Sequence, residues 1–397
     1  MKQKKIAFIF DNLTYRGGNI KQLIELANYF SSTGNKVTVF STNFDFKNCF
    51  PEIKKNFSVK QIGYKQKNNF LLFYHNRVTK KNLMQKLIMQ ENSNFDVFFI
   101  HDSPFYGLSA FLKKMYPQSK LVWHMNDLPY IFNISVDTNQ KFSLVTKIIG
   151  KMLRVVDKYY ICKFDLITTL SSANKKNITY FFNKKSIVVH TGTDNFFYQK
   201  IIKEDLRKKS VINLLTVGAF YQARRYEDII KAVYELNNLG NKTFNLRIVG
   251  HQGSDTRYAK AIKDLIKESD LTSRITFETK LSNNNLKLVY KNADIYVQAT
   301  NNIGWTIPAT EAMLSSLPTI ITNSCGLNEV LVTGVHALII QPKNPELIIK
   351  AILNIVNNNK LALRLSIYGR ELISKEFIWS RYCTKYDEFI MNYFRIR

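Results

Sequence analysis

Short apolar runs alternate along this chain with longer segments of helical periodicity, and no other feature limits its fold as much. A brief apolar run bounded by turn residues reads as a strand buried on both faces. A following segment with period 3.6 reads as the crossover helix of a parallel sheet. Ile6–Phe10 predicts a strand, Asn19–Ser31 a helix with Ile20, Leu23, Ile24, Ala27 and Phe30 on one face, and Lys36–Ser41 the next strand. Val97–His101, Lys120–His124, Leu166–Leu170 and Ile187–Val189 complete a first set of strands. A second set comprises strand Asn213–Val217, helix Tyr226–Leu239, strand Asn245–Val249, helix Ala259–Glu268 and strand Arg274–Phe277. It continues with strand Ile295–Gln298, helix Ile307–Ser315 and strand Thr319–Thr322, and a last helix runs from about Ser380. The class is α/β, with two doubly wound, Rossmann-like domains and a polar linker near Asn195–Ser210. In such sheets ligands bind beyond the carboxyl ends of the strands, so two domains facing each other imply a central cleft.

A length of 397 residues suits two or three domains with sizeable cores. Cys49, Cys162, Cys325 and Cys383 lie far apart without a CxxC pair. This argues against a zinc ribbon or a disulfide scaffold and fits a reducing, cytoplasmic setting. The formal net charge is +27, and residues 1–195 hold 29 Lys+Arg against 12 Asp+Glu, a net of +17. That excess calls for an anionic partner. Nothing resembling a nucleic-acid-binding signature accompanies it, so a nucleic-acid reading rests on charge alone. The apolar run after Lys2, Lys4 and Lys5 is too short for a signal peptide, and no window is apolar enough to span a membrane. Asn-x-Ser/Thr triplets such as Asn133-Ile134-Ser135 read as chance matches in an Asn-rich chain.

Four segments carry chemistry. Tyr15-Arg16-Gly17-Gly18-Asn19 follows the first strand and opens a helix, where two glycines let backbone N–H groups approach an anion. An ordinary βα turn is the competing reading, and alone it is the better one. His124, in Val122–Asp127, stands at a strand end where an imidazole can donate to a sugar or stabilise charge. A satisfied structural histidine is equally compatible. Val217–Asp228 is a strand, a loop containing Gly218 and the pair Arg224-Arg225, then a helix; arginine binds phosphate in bidentate fashion and needs no metal to do so. A solvated basic helix start competes with it. Asn301–Met313 places Gly304, Trp305 and Thr306 before a helix with Pro308 near its start. Glu311, one turn in, is placed to accept from ribose hydroxyls or, alternatively, to complement the helix dipole. No D-x-D triplet, P-loop, HExxH, GxSxG or metal-ligand spacing occurs.

In order, these segments resemble the glycosyl transferases group 1 family, the retaining family 4 enzymes of GT-B fold. The likeness runs nearly end to end and is strongest over about 213–345. Gly17-Gly18 is similar to the family's glycine loop, and Ile187–Asp194 to its "v-I-P-N-G-V-D" segment. Leu215–Asp228 is similar to its donor loop, and Leu246–Gly250 to "L-x-I-V-G". Gly304–Met313 with Leu317–Ile320 is similar to "G-F-G-x-P-x-x-E-A-M … G-x-P-V-I". Asn328-Glu329-Val330 and Phe377–Ser380 match its later turns. The resemblance implies transfer of a sugar from a UDP- or GDP-linked donor to a glycan or lipid-linked acceptor, with retention, no cofactor and no metal. It implies an acceptor-side domain over 1–195, a donor domain over 196–379 and a terminal helix, 380–397, returning to the first domain.

On this resemblance Arg224 and Arg225 hold the diphosphate, and Glu311 binds ribose. Gly218 and the backbone of Gly304–Thr306 line the donor, Gly17-Gly18 covers its phosphates, and His124 sits beside the reacting centre. The first glutamate of the family's E-x7-E pair is Ile303, which accepts no hydrogen bond. Asn301, Asn302 or a backbone group substitutes for it, or the donor differs. Ala219 and Thr191 also depart from the pattern. The alternatives are a non-catalytic GT-B homologue, acting as partner subunit or sugar-nucleotide binder, and a basic nucleic-acid-binding protein.

Two stretches combine basic and apolar residues. One is Lys141–Phe164, with Lys147, Lys151, Arg154 and Lys158 against Ile148, Ile149, Met152, Val155, Val156 and Tyr159. The other is Phe70–Tyr74 followed by Arg77, Lys80, Lys81 and Lys86. Either suits peripheral contact with an anionic membrane on its cytoplasmic face, or simple burial of the apolar side with the charges solvated.

Overall fold

A computed structural model describes residues 3–45, 47–64, 72–102, 105–128, 144–199, 204–250, 256–279, 281–301 and 304–394. Asn302, Ile303, Asn133 and Phe70-Leu71 lie outside the described residues, as do the side chains of Leu72–Tyr74, Lys147, Ile148 and Ile149. The chain forms two units, one of Met1–His190 with Cys383–Arg397 and one of Thr191–Tyr382.

Unit 1 is built on seven parallel strands: β1 (Lys5–Leu13), β2 (Lys36–Phe44), β3 (Ser58–Gln61), β4 (Val97–His101), β5 (Lys120–Met125), β6 (Leu166–Thr169) and β7 (Ile187–Val188). Their order is β3-β2-β1-β4-β5-β6-β7. The helices are α1 (Gly18–Ser32), α2 (Leu72–Gln90), α3 (Ser109–Met115), α4 (Leu144–Ile161) and α5 (Ser172–Phe182). Ile6–Phe10 and all of β4 are buried, as a central strand covered on both faces must be. One layer of the core gathers Phe98, Tyr106, Leu121, Trp123, Phe164 and Phe182.

Unit 2 has six parallel strands: β8 (Val211–Val217), β9 (Thr243–Gly250), β10 (Ile275–Thr279), β11 (Ile295–Val297), β12 (Thr319–Thr322) and β13 (Leu338–Ile340), ordered β10-β9-β8-β11-β12-β13. Its helices are α6 (Tyr226–Asn238), α7 (Thr256–Glu268), α8 (Asn283–Asn292), α9 (Ile307–Leu314), α10 (Pro345–Asn357) and α11 (Asn359–Glu376). The last helix, α12 (Trp379–Phe394), starts in unit 2, and its residues from Cys383 onward belong to unit 1. Both sheets therefore show the doubly wound order, with the reversal between β1 and β4 in one and between β8 and β11 in the other.

The polar stretch at 195–210 is not a loose connection in its described part. Phe197 and Leu206 are buried, and Gln199 N–H donates to the Leu314 carbonyl at 2.9 Å. Aromatic anchoring docks this segment on α9, and the chain passes between units at His190–Thr191 instead. No helix among the described residues is long and apolar enough to cross a membrane.

Candidate functional site

In unit 2 the site lies at the topological switch point. β8 ends at Val217, and Gly218 N–H donates to the Val249 carbonyl at 2.9 Å. A Cβ on Gly218 would stand 3.1 Å from Arg224 Cζ and 3.0 Å from the Tyr226 hydroxyl. Glycine is needed there so that the Arg224 side chain can lie against the strand end. Tyr226 donates to the Gly218 carbonyl at 2.9 Å, which ties loop to strand.

The two arginines have different surroundings. Arg225 takes a left-handed φ of 54° and ends the short 3-10 turn Gln222–Arg224. Its guanidinium pairs with Glu227 at 2.9 Å and Asp228 at 2.7 Å, the two acids in the first turn of α6. Its charge is thereby paired within the loop. Arg224 has its guanidinium over the Tyr221 ring, 5.1 Å from the centroid. Its Nε and Nη1 are buried without a hydrogen-bond partner.

β11 supplies the facing groups. The Asn301 N–H donates to the Ala223 carbonyl at 2.8 Å and fastens this strand's carboxyl end to the arginine loop. Gln298 Oε1 accepts from Thr306 Oγ1 at 2.6 Å and from the Tyr296 hydroxyl at 3.2 Å. Its Nε2 has no partner, nor does Thr300 Oγ1, and both residues are buried. Donors without acceptors, gathered at one switch point, suit an anionic or hydroxyl-rich ligand. Thr306 caps α9 with Pro308 in its first turn, and Trp305 is buried beside the Phe377 ring, 5.6 Å between centroids. Gly304 precedes them and is also buried. Glu311 Oε2 accepts from the Tyr290 hydroxyl at 2.8 Å. Burial, and after it the nearby Glu311 carboxylate, pushes the Tyr290 phenol well up, so it stays a donor.

In unit 1 Gly17 is the extended N-cap of α1 and Gly18 its first residue. Asn19 Nδ2 donates to Asp102 Oδ2 at 3.2 Å, and Asn126 donates to both Asp102 oxygens, at 3.0 Å from its backbone and 2.9 Å from its side chain. Asp102 has a left-handed φ of 56° and is the hub at the ends of β4 and β5. Burial pushes its carboxyl up, against the hydrogen bonds from Asn126 and Asn19.

His124 is fully buried. Its Nδ1 lies 2.9 Å from Thr168 Oγ1 and its Nε2 3.2 Å from Asn126 Oδ1, with the Tyr386 hydroxyl of α12 bonded to Thr168 at 2.7 Å. Both ring nitrogens are engaged, and Asn126 links His124 to Asp102. Desolvation lowers its pKa to about 4, and His101, with its ring 4.7 Å away, is lowered too. A base whose folded pKa is depressed contributes stability that is complete above its unfolded pKa of about 6.5 and is lost as pH falls toward 4. Urea unfolding at pH 7 and pH 4.5 is expected to show a drop that is smaller, by about 2 kcal/mol, in His124→Gln. Equal pH dependence in both proteins would refute this.

Asp102, Asn126, Gln298 and Thr300 are the residues that sequence reasoning missed. The only signal for the last two is a polar residue at each alternate position where a buried strand ends.

Two doubly wound parallel sheets with the strand orders above are the architecture of GT-B glycosyltransferases. HepE of Anabaena, solved with UDP-glucose, shares the fold with a TM-score of 0.75 at 15% identity, over 98% of this chain and 100% of that one. Residues 198–372 match the family model for glycosyl transferases group 1. An uncharacterized glycosyltransferase of Methanocaldococcus jannaschii is 26% identical over 56% of this chain and 58% of its own length. The O-antigen chain mannosyltransferase RfbU of Salmonella typhimurium is 28% identical over 48% of this chain and 50% of its own. The chain thus spans about half the length of these relatives.

Proposed function

We propose that this protein moves a sugar from a nucleotide-sugar to a glycan or lipid-linked acceptor with retention of configuration, without a metal ion, and that it works in the cytoplasm. The observation that carries the reading is the buried, unpartnered guanidinium edge of Arg224 at the β8/β11 switch point. Among the described residues no group of three His, Cys, Asp or Glu side chains is placed to hold a cation. In this reading the charge that a cation would supply elsewhere comes from Arg224. The four cysteines stand as thiols, which supports a reducing compartment.

Unit 2 takes the donor. Arg224 meets the diphosphate, Gly218 and the backbone at Gly304–Thr306 approach it closely, and Glu311 meets ribose. Gln298 Nε2 and Thr300 Oγ1 add donors to the same ligand. In the reaction the bond from the anomeric carbon to the diphosphate oxygen breaks and a bond to the acceptor oxygen forms. The acceptor's proton leaves with the nucleotide. Negative charge grows on the departing diphosphate, and a fixed guanidinium in a site of low polarity stabilises that change more than it stabilises the ground state. Unit 1 takes the acceptor, with the Asp102–Asn126 pair at the ends of its strands.

Incubation with labelled UDP- and GDP-sugars in EDTA tests this. Donor consumption is expected for one base, with an unchanged anomeric configuration in the NMR spectrum of the product. Donor binding without consumption, across a panel of glycan and lipid-linked acceptors, would instead establish the non-catalytic alternative.

A further inference from the structure

Helix α4 presents an apolar stripe to solvent. Met152 is 67% exposed, Val155 69%, Val156 46% and Tyr159 56%. Their spacing of three, one and three residues puts all four on one face over two turns, roughly 10 Å of helix. An isolated exposed apolar side chain is ordinary, whereas a contiguous stripe marks a contact surface.

Charge tells what the surface meets. Lys151 and Lys158 are exposed on the same helix, and Lys163 just beyond it holds its ammonium 4.7 Å from the Tyr159 ring centroid. The one acid on the helix, Asp157, is turned inward, buried and bonded to Arg77 and Tyr106. No carboxylate of α4 therefore offsets the lysines at the surface. α5, which packs on α4, adds exposed Lys175 and Lys176 and has no acid at all.

We propose that this face of α4 docks on an anionic lipid surface. Met152, Val155, Val156 and Tyr159 enter the headgroup–acyl boundary, and the lysines reach lipid phosphates from the flanks. A second copy of the chain is the weaker occupant, because two such faces bring like charges together and the stripe is small for a stable protein interface. Lipid docking by α4 uses no nucleotide chemistry and stands apart from the proposed reaction.

Flotation with phosphatidylcholine vesicles containing 30% phosphatidylglycerol (about the anionic share that gives a strong surface potential), against phosphatidylcholine alone, tests it on the whole chain. Recovery with the anionic vesicles is expected to exceed that with neutral ones by about tenfold and to fall with added salt. Met152→Glu/Val155→Glu is expected to abolish it, and Lys151→Glu/Lys158→Glu to reduce it at least fivefold, both with unchanged melting temperature and nucleotide binding. Equal recovery on both vesicles, or full recovery of the Glu variants, would overturn the proposal. So would a dimer in sedimentation velocity that is lost in Val155→Glu while vesicle binding is absent.

Discussion

Arg224→Met is expected to lower sugar transfer by about two to three orders of magnitude and at the same time leave the unliganded protein as stable as before, or more so. The two effects share one cause. Nε and Nη1 of Arg224 are buried without a partner, so the folded protein carries the desolvation cost of a cation it does not use internally. A buried donor left unmade costs about 1–3 kcal/mol, and methionine fills similar volume without that cost. Once the diphosphate is bound, the same donors gain charge-assisted partners in a site of low polarity. Arg224→Lys keeps the charge but not the fork, and an intermediate loss is expected. Arg225→Ala is the contrast, because its guanidinium holds Glu227 and Asp228. It is expected to lose stability and to retain most of the transfer rate per folded molecule. Urea unfolding beside initial rates separates these results. An Arg224→Met protein that is both less stable and fully active would mean that the guanidinium is a structural group.

Gly192→Ala is expected to destabilise the chain by about 3 kcal/mol, the cost of forcing a methyl group against closed backbone. An added Cβ would lie 2.7 Å from Trp379 Cα, 2.7 Å from its Cε3 and 2.8 Å from its backbone nitrogen. Two of these atoms are backbone, so no rotamer change relieves the clash. The location magnifies the effect. Thr193 N–H donates to the Phe377 carbonyl at 2.8 Å and Trp379 N–H returns to the Thr193 carbonyl at 3.3 Å. The chain's entry into unit 2 and its exit are thus paired side by side, with Thr193 and Thr310 bonded through their hydroxyls. Gly107→Ala, where an added Cβ meets nothing nearer than 3.6 Å, is expected to stay within about 0.5 kcal/mol. Urea midpoints of the two variants check the contrast, and similar midpoints would show that this crossing yields to strain.

What was legible in the sequence follows from burial. Val97–His101 and Thr319–Thr322 were readable to the residue because central parallel strands are apolar on both faces. Ser58–Gln61 was not. It is an edge strand whose residues are exposed or half-exposed, so it leaves no apolar run. Arg224 stood out by its place between a strand and a helix. What separated it from Arg225 was the pair of acids that Arg225 captures and the turn it closes, and spacing alone does not reveal a side chain's choice of partner. His124 shows the same limit. It marks a strand end, but alternation along β5 turns it toward a layer closed by Tyr386, more than 200 residues further on. Gln298 and Thr300 enter the proposed site through Asn301, which is fastened to the arginine loop by a contact that no local pattern announces.

In the proposed reaction unit 2 holds a nucleoside diphosphate on Arg224. Calorimetric titration of UDP and of GDP into the full chain in EDTA, beside Arg224→Met, tests it most directly. One of the two is expected to bind the native protein with Kd at or below about 1 mM, and at least tenfold more weakly in the variant. No heat from either nucleotide, or equal affinity in both proteins, would contradict this role of Arg224.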